Sequence, residues 1–183
     1  MTITLENIHT FSVPLEEHAL KWKFENGNKK RTDAFEDQII ALTPEASKFL
    51  WNFESTQRYL NSFSTIEKHF NEHSHLSFGE NDGQKVKKWL FEREIPFDQK
   101  VFWVTQPEWG FILTWKMVIK FWDELFFGSD ELIWDTTLNW ALFYDHNDAF
   151  YFGRNRNFNA EKHSEEIIEI KKLIAVNRAK NHK

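Results

Sequence analysis

Hydrophobic residues recur at helical spacing in the first half of the chain. The run from 15 to 24 carries Leu15, Ala19 and Leu20 on one face. Thr43-Pro44 supplies a capping hydroxyl and a proline at the first helical position, so a helix is predicted from there to about residue 53. Two more helices are predicted over 64–73, from a capping-box pattern, and over 84–93, from its apolar stripe.

The pattern changes after Ile95-Pro96, where β-branched and aromatic residues replace the helical spacing. Residues 100–104 and 110–113, separated by turn-forming residues at 105–108, predict a hairpin. The remaining predicted elements are an amphipathic helix over 115–126, strands over 132–134, 139–144 and 149–152, and a final helix over 161–178.

These elements predict an α+β fold in a single domain over residues 1–183. We expect a helical N-terminal half over about 1–98, a part with an antiparallel sheet of about five strands over about 99–160, and a C-terminal helix over about 161–178.

Composition limits the chemistry that the chain can perform. It has 183 residues with no cysteine, which excludes disulfides, thiolate catalysis and cysteine-based zinc sites. Only 6 residues are glycine, which disfavours glycine-rich phosphate loops. The start of the chain shows no signal-peptide pattern and no segment has the apolar length of a membrane helix, so we expect a cytoplasmic protein without a membrane partner.

Residues 121–153 contain seven acidic residues and neither lysine nor arginine. The formal net charge of the whole chain is −5, so the remainder carries +2, the difference between −5 and −7. If the predicted strands pair, these acids form one negative surface that attracts a basic protein, with Trp109 and Trp140 as exposed aromatic anchors. The predicted partner-binding residues are Asp123, Glu124, Asp130, Glu131, Asp135, Asp145, Asp148, Trp109 and Trp140.

The same region carries a resemblance to known bacterial proteins. Its motifs are Trp122-Asp123-Glu124-Leu125-Phe126-Phe127, Ser129-Asp130-Glu131, Trp140-Ala141-Leu142-Phe143-Tyr144 and Phe150-Tyr151-Phe152-Gly153. Over about 40 residues the pattern is similar to uncharacterised proteobacterial domains and to immunity proteins that neutralise polymorphic or contact-dependent toxins. The resemblance implies a cytoplasmic single-domain protein that acts by tight binding, and such proteins are commonly acidic when their toxin is a basic nuclease.

Several other groups are candidate sites. His69 and His73 share a face of the predicted helix, with His75 nearby, but the pattern lacks the glutamate that follows the first histidine in helical zinc enzymes. His146 lies in an acidic turn, where it can act as a base or a pH switch. The basic groups 29–31 and 85–88 suggest nucleic-acid binding, which the net negative charge opposes.

The sequence therefore predicts a non-catalytic binding protein, most simply an immunity-type inhibitor that binds a protein, such as a basic toxin. It predicts no catalytic residue, cofactor, metal ligand or nucleic-acid partner. Two alternatives stay open: a small metal-dependent hydrolase that uses clustered acids or histidines, and a regulatory or self-associating structural protein. The sequence does not decide between monomer and homodimer.

Overall fold

A computed structural model describes residues 2–25, 33–56, 66 and 68–157. These residues form one eight-stranded antiparallel sheet with helices on both faces. The strands are β1 Ser12–Val13, β2 Ile39–Leu42, β3 Phe70–Ser77, β4 Lys100–Gln106, β5 Trp109–Thr114, β6 Glu131–Trp134, β7 Trp140–Asp145 and β8 Ala149–Arg156. The α-helices are α1 Pro44–Thr56, α2 Gly83–Phe91, α3 Trp115–Lys120 and α4 Trp122–Leu125.

Short 3-10 helices complete the described elements, at Ile8–Thr10, Leu15–Glu17, Lys21–Phe24 and Asp33–Gln38. The strand order is β1-β2-β5-β4-β6-β7-β8-β3, so β1 and β3 form the two edges and the later strands fill the space between β2 and β3. Strands β6, β7 and β8 are consecutive in the chain and in the sheet, and short connections join them as two antiparallel hairpins. The longest ladder joins β8 to β3 at the edge of the sheet.

Helix α1 begins where the sequence predicts it. Thr43 Oγ1 accepts the Ala46 backbone N–H over 3.3 Å, which satisfies one of the free donors at the helix start. The helix packs closely against β5, because a Cβ atom built on Gly110 would lie 3.0 Å from Ser47 Oγ. A side chain at residue 110 would therefore push Ser47 of α1 away from β5 by a few tenths of an ångström.

Two hydrophobic clusters fill the two faces of the sheet. One includes Trp103, Phe111, Leu142 and Phe150 and is covered by α2, α3, α4 and the 3-10 helix at Lys21–Phe24. The other includes Trp134 and Phe143 and is covered by α1. A sheet that is buried on both faces explains the continuous apolar runs in β4, β5 and β7, which lack strict alternation.

The α+β class is confirmed, and the sheet is larger than the predicted five strands. The predicted hairpin forms as β4 and β5, and the predicted helix over 84–93 forms as α2. The helical N-terminal half is not shown: in its place are β1, β2, β3, α1, α2 and short 3-10 helices. The predicted helix over 64–73 is wrong from Phe70, where β3 begins. The predicted helix over 161–178 lies outside the described residues.

The predicted helix over 115–126 is divided into α3 and α4, with Phe121 between them. Phe121 is fully buried and its backbone has a φ of −106°, outside the helical range, so the regular helix is interrupted at a residue whose side chain packs into the core. Among the helices that the structure describes, none has the length and apolarity to traverse a bilayer.

Candidate functional site

Strand register brings three acidic residues and one exposed tryptophan to the same end of the sheet. Trp109 pairs with Gln106 on β4, Trp103 pairs with Ile133 on β6, and Glu131 pairs with Tyr144 on β7. Asp130 precedes Glu131 and contacts His146 just after β7, so it lies at this end of the sheet. We call this set of Trp109, Asp130, Asp145, His146 and Asp148 the turn rim. Strands β5, β4 and β6 are consecutive, so two strand spacings of about 4.8 Å each separate the strand of Trp109 from the strand that Asp130 precedes.

The centre of the turn rim is a contact between Asp130 and His146. Asp130 Oδ1 lies 2.7 Å from His146 Nδ1 and also accepts the His146 backbone N–H over 3.1 Å. The hydrogen bond that the His146 ring donates to Asp130 raises the pKa of His146, because a carboxylate acceptor favours the imidazolium form. Both side chains are more than half exposed, so this contact is open to solvent.

Asp145 and Asp148 hold the β7–β8 turn in shape. Asp145 Oδ1 accepts the backbone N–H and the side-chain amide of Asn147, each over 2.7 Å. The backbone hydrogen bond lowers the pKa of Asp145. Asp148 adopts a left-handed backbone with φ of 57°, which aspartate tolerates, and it accepts the Tyr144 hydroxyl over 3.0 Å. Burial and this hydrogen bond raise the pKa of Tyr144 to about 12.

Glu131 lies inside the fold, directly below the turn rim. It is 4% exposed, and it accepts the Trp103 indole N–H over 3.0 Å and the Ser129 hydroxyl over 2.7 Å. Burial raises the pKa of Glu131 to about 7. Lys23 is also buried and favours the charged form of Glu131, while its ammonium donates to the backbone carbonyl of Glu124.

Asp135 and Trp140 lie at the opposite end of β6 and β7, and both are buried. Trp140 donates its indole N–H to Asp135 Oδ2 over 2.9 Å, and Thr137 donates its backbone N–H to Asp135 Oδ1 over 2.9 Å. Glu131, Asp135 and Trp140 are therefore interior residues, in contrast to the single negative surface that the sequence predicts. Inside the fold, Glu131 accepts the indole N–H of Trp103, and Asp135 accepts that of Trp140.

The last two predicted acids, Asp123 and Glu124, form part of α4 and are half-buried. Of the nine predicted partner-binding residues, the structure brings together Trp109, Asp130, Asp145 and Asp148. Trp109 is 39% exposed, and Asp130 and Asp148 are exposed, whereas Asp145 is buried at 9% exposure, in contrast to its predicted place on the surface. The candidate surface is smaller than predicted, and it includes His146, for which the sequence suggests a role as a base or pH switch.

Comparison of the chain with protein-family models, curated proteins and solved structures finds no match. Function is therefore inferred from this chain's own residues.

The three clustered histidines do not share a helix face. His73 and His75 lie on β3, two residues apart and therefore on one face of the strand, while His69 precedes the strand. The helical zinc arrangement suggested by the spacing of His69 and His73 is therefore wrong. His75 stacks against Tyr151 on the neighbouring strand, with ring centroids 6.1 Å apart.

A further buried acid, Glu54, was not predicted from the sequence. It accepts the Trp134 indole N–H over 2.6 Å, and burial raises its pKa to about 8. A sequence signal exists, because Ala46, Leu50 and Glu54 follow at intervals of four on α1 and so share its buried face. An acid on an apolar helix stripe indicates a buried carboxyl with a dedicated donor.

Proposed function

We propose that the chain is a non-catalytic binding protein, an immunity-type inhibitor that contacts a basic protein, such as a toxin, through the turn rim. The observation that carries this proposal is the strand register, which gathers Asp130, Asp145, Asp148 and Trp109 at one end of the sheet. Inhibition would be steric and electrostatic, because the rim covers a surface of the partner without turnover.

The charge of the rim supports a cationic partner. Residues 121–153 contain neither lysine nor arginine. Within the described part of the chain, the charged group that contacts Asp130 is His146, and Asp148 forms no salt bridge. Exposed carboxylates that are not neutralised internally produce a negative potential, which accelerates association with a basic surface.

Trp109 supplies the apolar part of the proposed contact. It ends the β4–β5 turn and remains 39% exposed, although the neighbouring residue Gly110 is buried. Tryptophan is strongly enriched among residues that dominate binding energy, since it buries a large rigid surface. We expect Trp109 to set the dissociation rate and the acids to set the association rate.

The test begins with affinity capture of a partner from cells that express the chain naturally, followed by binding kinetics with the purified partner. The variant Asp130→Lys with Asp148→Lys should lower the association rate at low salt by about tenfold or more, and high salt should reduce the difference. Trp109→Ala should mainly raise the dissociation rate, by about tenfold or more.

A matched control reverses two exposed charges away from the rim. Glu92 and Glu94 follow α2 and lie toward the other end of the sheet, where Glu94 contacts Arg154. The variant Glu92→Lys with Glu94→Lys makes the same change in net charge. Equal losses for the rim and control variants would exclude a specific rim contact, and unchanged binding of the rim variant would remove the rim from the interface.

A further inference from the structure

We propose that Asp130, Asp145 and His146 bind one divalent transition-metal ion of the Zn²⁺ class. The three residues come from two places in the chain, the residue before β6 and the end of β7 with its following turn. One ligand atom from each lies within 4.8 Å of the others. This inference concerns the chain alone and does not rest on the proposed partner.

The distances fit a small ion. His146 Nδ1 lies 2.7 Å from Asp130 Oδ1 and 4.0 Å from Asp145 Oδ1. Around tetrahedral zinc, with metal–ligand bonds of about 2.0–2.1 Å, ligand atoms are roughly 3.3 Å apart. The two measured separations lie on either side of that value, so shifts of less than about 1 Å would place these ligands around an ion.

The two carboxylates have lone pairs to offer, and His146 gains one on Nδ1 when it gives up its hydrogen bond to Asp130. The hydrogen bonds that the described residues make to Asp130 and Asp145 end on Oδ1, the atoms of the distances above, so an ion binds either by replacing one of these bonds or through Oδ2 after the carboxylate rotates. His146 Nδ1 becomes a ligand when it loses its proton. Asp145 is 9% exposed and its Oδ1 is held by Asn147, a supporting contact of the kind that orients metal ligands.

The donor set selects the class of ion. One imidazole nitrogen with two carboxylates suits zinc and the neighbouring transition metals, whereas Mg²⁺ and Ca²⁺ prefer oxygen alone. Asp130 and His146 are more than half exposed, so water can occupy the remaining coordination positions. Residues 121–153 contain no lysine or arginine, so within this segment the basic group beside the carboxylates is His146, the proposed third ligand.

The proposal is tested by titrating the full chain, freed of metal with a chelator, with Zn²⁺ in a calorimeter and with Co²⁺ by visible absorption. We expect one ion to bind per chain. His146→Gln and Asp145→Asn should each weaken binding by about tenfold or more. The amide oxygen introduced by Asp145→Asn can still accept the hydrogen bonds from Asn147, and a thermal melt of each variant shows whether it remains folded.

Two control variants distinguish this site from other ligands. Asp148→Asn changes a neighbouring acid of the turn rim that is not a proposed ligand. The double variant His73→Gln with His75→Gln removes the exposed histidines of β3. Both variants should bind Zn²⁺ as the unchanged chain does. Absence of saturable binding below about 1 mM overturns the proposal. Full binding by folded His146→Gln, or loss of binding in the β3 variant alone, also overturns it.

Discussion

The indole nitrogen of Trp103 lies 3.0 Å from Glu131 Oε2, and this contact joins β4 to β6 in the buried centre of the sheet. Trp103 is fully buried and stacks against Phe111, with ring centroids 5.5 Å apart. The same relationship recurs between Trp134 and Glu54 and between Trp140 and Asp135. Three buried acids therefore each have an indole donor, which offsets the cost of removing them from water.

Trp103→Phe should lower the free energy of unfolding by about 3 kcal/mol, because it leaves Glu131 without its indole donor and creates a cavity. Urea unfolding at neutral pH measures the change. Trp22→Phe is the matched control: Trp22 is 50% exposed, so its loss should cost only about 0.5 kcal/mol. Similar losses at the two positions would show that the indole contact contributes little.

The contribution of the contact can be separated from that of the cavity. We expect Trp103→Phe combined with Glu131→Gln to cost less than the sum of the two single changes, because the uncharged amide depends less on the missing donor. A double-mutant cycle measures the coupling, which should be about 1 kcal/mol or more. Strict additivity would contradict a direct energetic link between the two side chains.

Buried carboxyls should make the protein less stable as pH rises. Burial raises the pKa of Glu54 to about 8 and that of Glu131 to about 7, from 4.5 in the unfolded chain. The folded state therefore binds more protons than the unfolded state between about pH 4.5 and 8, so the free energy of unfolding falls across that window.

Glu54→Gln and Glu131→Gln should each reduce this pH dependence, because an amide has no proton to lose and still accepts from the indole. The combined effect at pH 8 should be on the order of several kcal/mol. Urea unfolding at pH 5 and pH 8 provides the measurement, with Glu92→Gln as an exposed control that keeps the slope of the unchanged protein. A slope that survives in both variants would place the responsible group elsewhere.

The β8–β3 ladder depends on a glycine. A Cβ atom on Gly153 would lie 2.6 Å from the Phe70 ring and 2.8 Å from Ile66 Cγ2, which is closer than atoms pack. Gly153→Ala should therefore destabilise the protein by about 1–3 kcal/mol, since the surrounding core must shift. Gly79→Ala is the control, because no heavy atom lies within 4 Å of its Cβ position. Thermal melts of the two variants should differ clearly; equal melting temperatures would show that the Phe70 ring moves aside freely.

The contact between Asp130 and His146 should be visible in solution. The hydrogen bond raises the pKa of His146, so Asp130→Asn should lower it, as measured by an NMR titration of the imidazole. While Asp130 is ionised, the stabilisation from this contact is complete just below the unfolded-state pKa of His146 and is lost as pH rises through its raised folded-state pKa. Asp148→Asn is the control and should leave the His146 titration unchanged. An unaltered titration in Asp130→Asn would contradict the contact.

Strong local signals in the sequence predicted their elements well. Thr43-Pro44 gave the start of α1, and the apolar runs around Trp103 and Ile112 gave the β4–β5 hairpin, because capping and β-branched content act locally. Strand β3 could not be found in this way. Its residues Asn71, Glu72 and His73 are polar and exposed, and they are held in a strand by pairing with β8, a partner about 80 positions away in the sequence.

The candidate site was predicted only in part, because local sequence signals do not show which side chains long-range strand pairing buries. Turn chemistry located Asp145 and Asp148, but sequence alone could not show that Glu131 and Asp135 turn inward, because their indole partners are set by strand register and packing. Acidic composition therefore indicated more surface charge than the fold exposes.

The buried acids also change how the molecule migrates in an electric field. The formal charge of −5 counts every carboxyl as ionised. Because burial raises the pKa of Glu54 to about 8 and that of Glu131 to about 7, the folded chain is less negative near neutral pH than that formal charge. The electrophoretic mobility of the native protein should therefore be lower than its composition implies. Unfolding exposes the two carboxyls, which then ionise, so the net charge of the denatured chain should return to the value set by its composition.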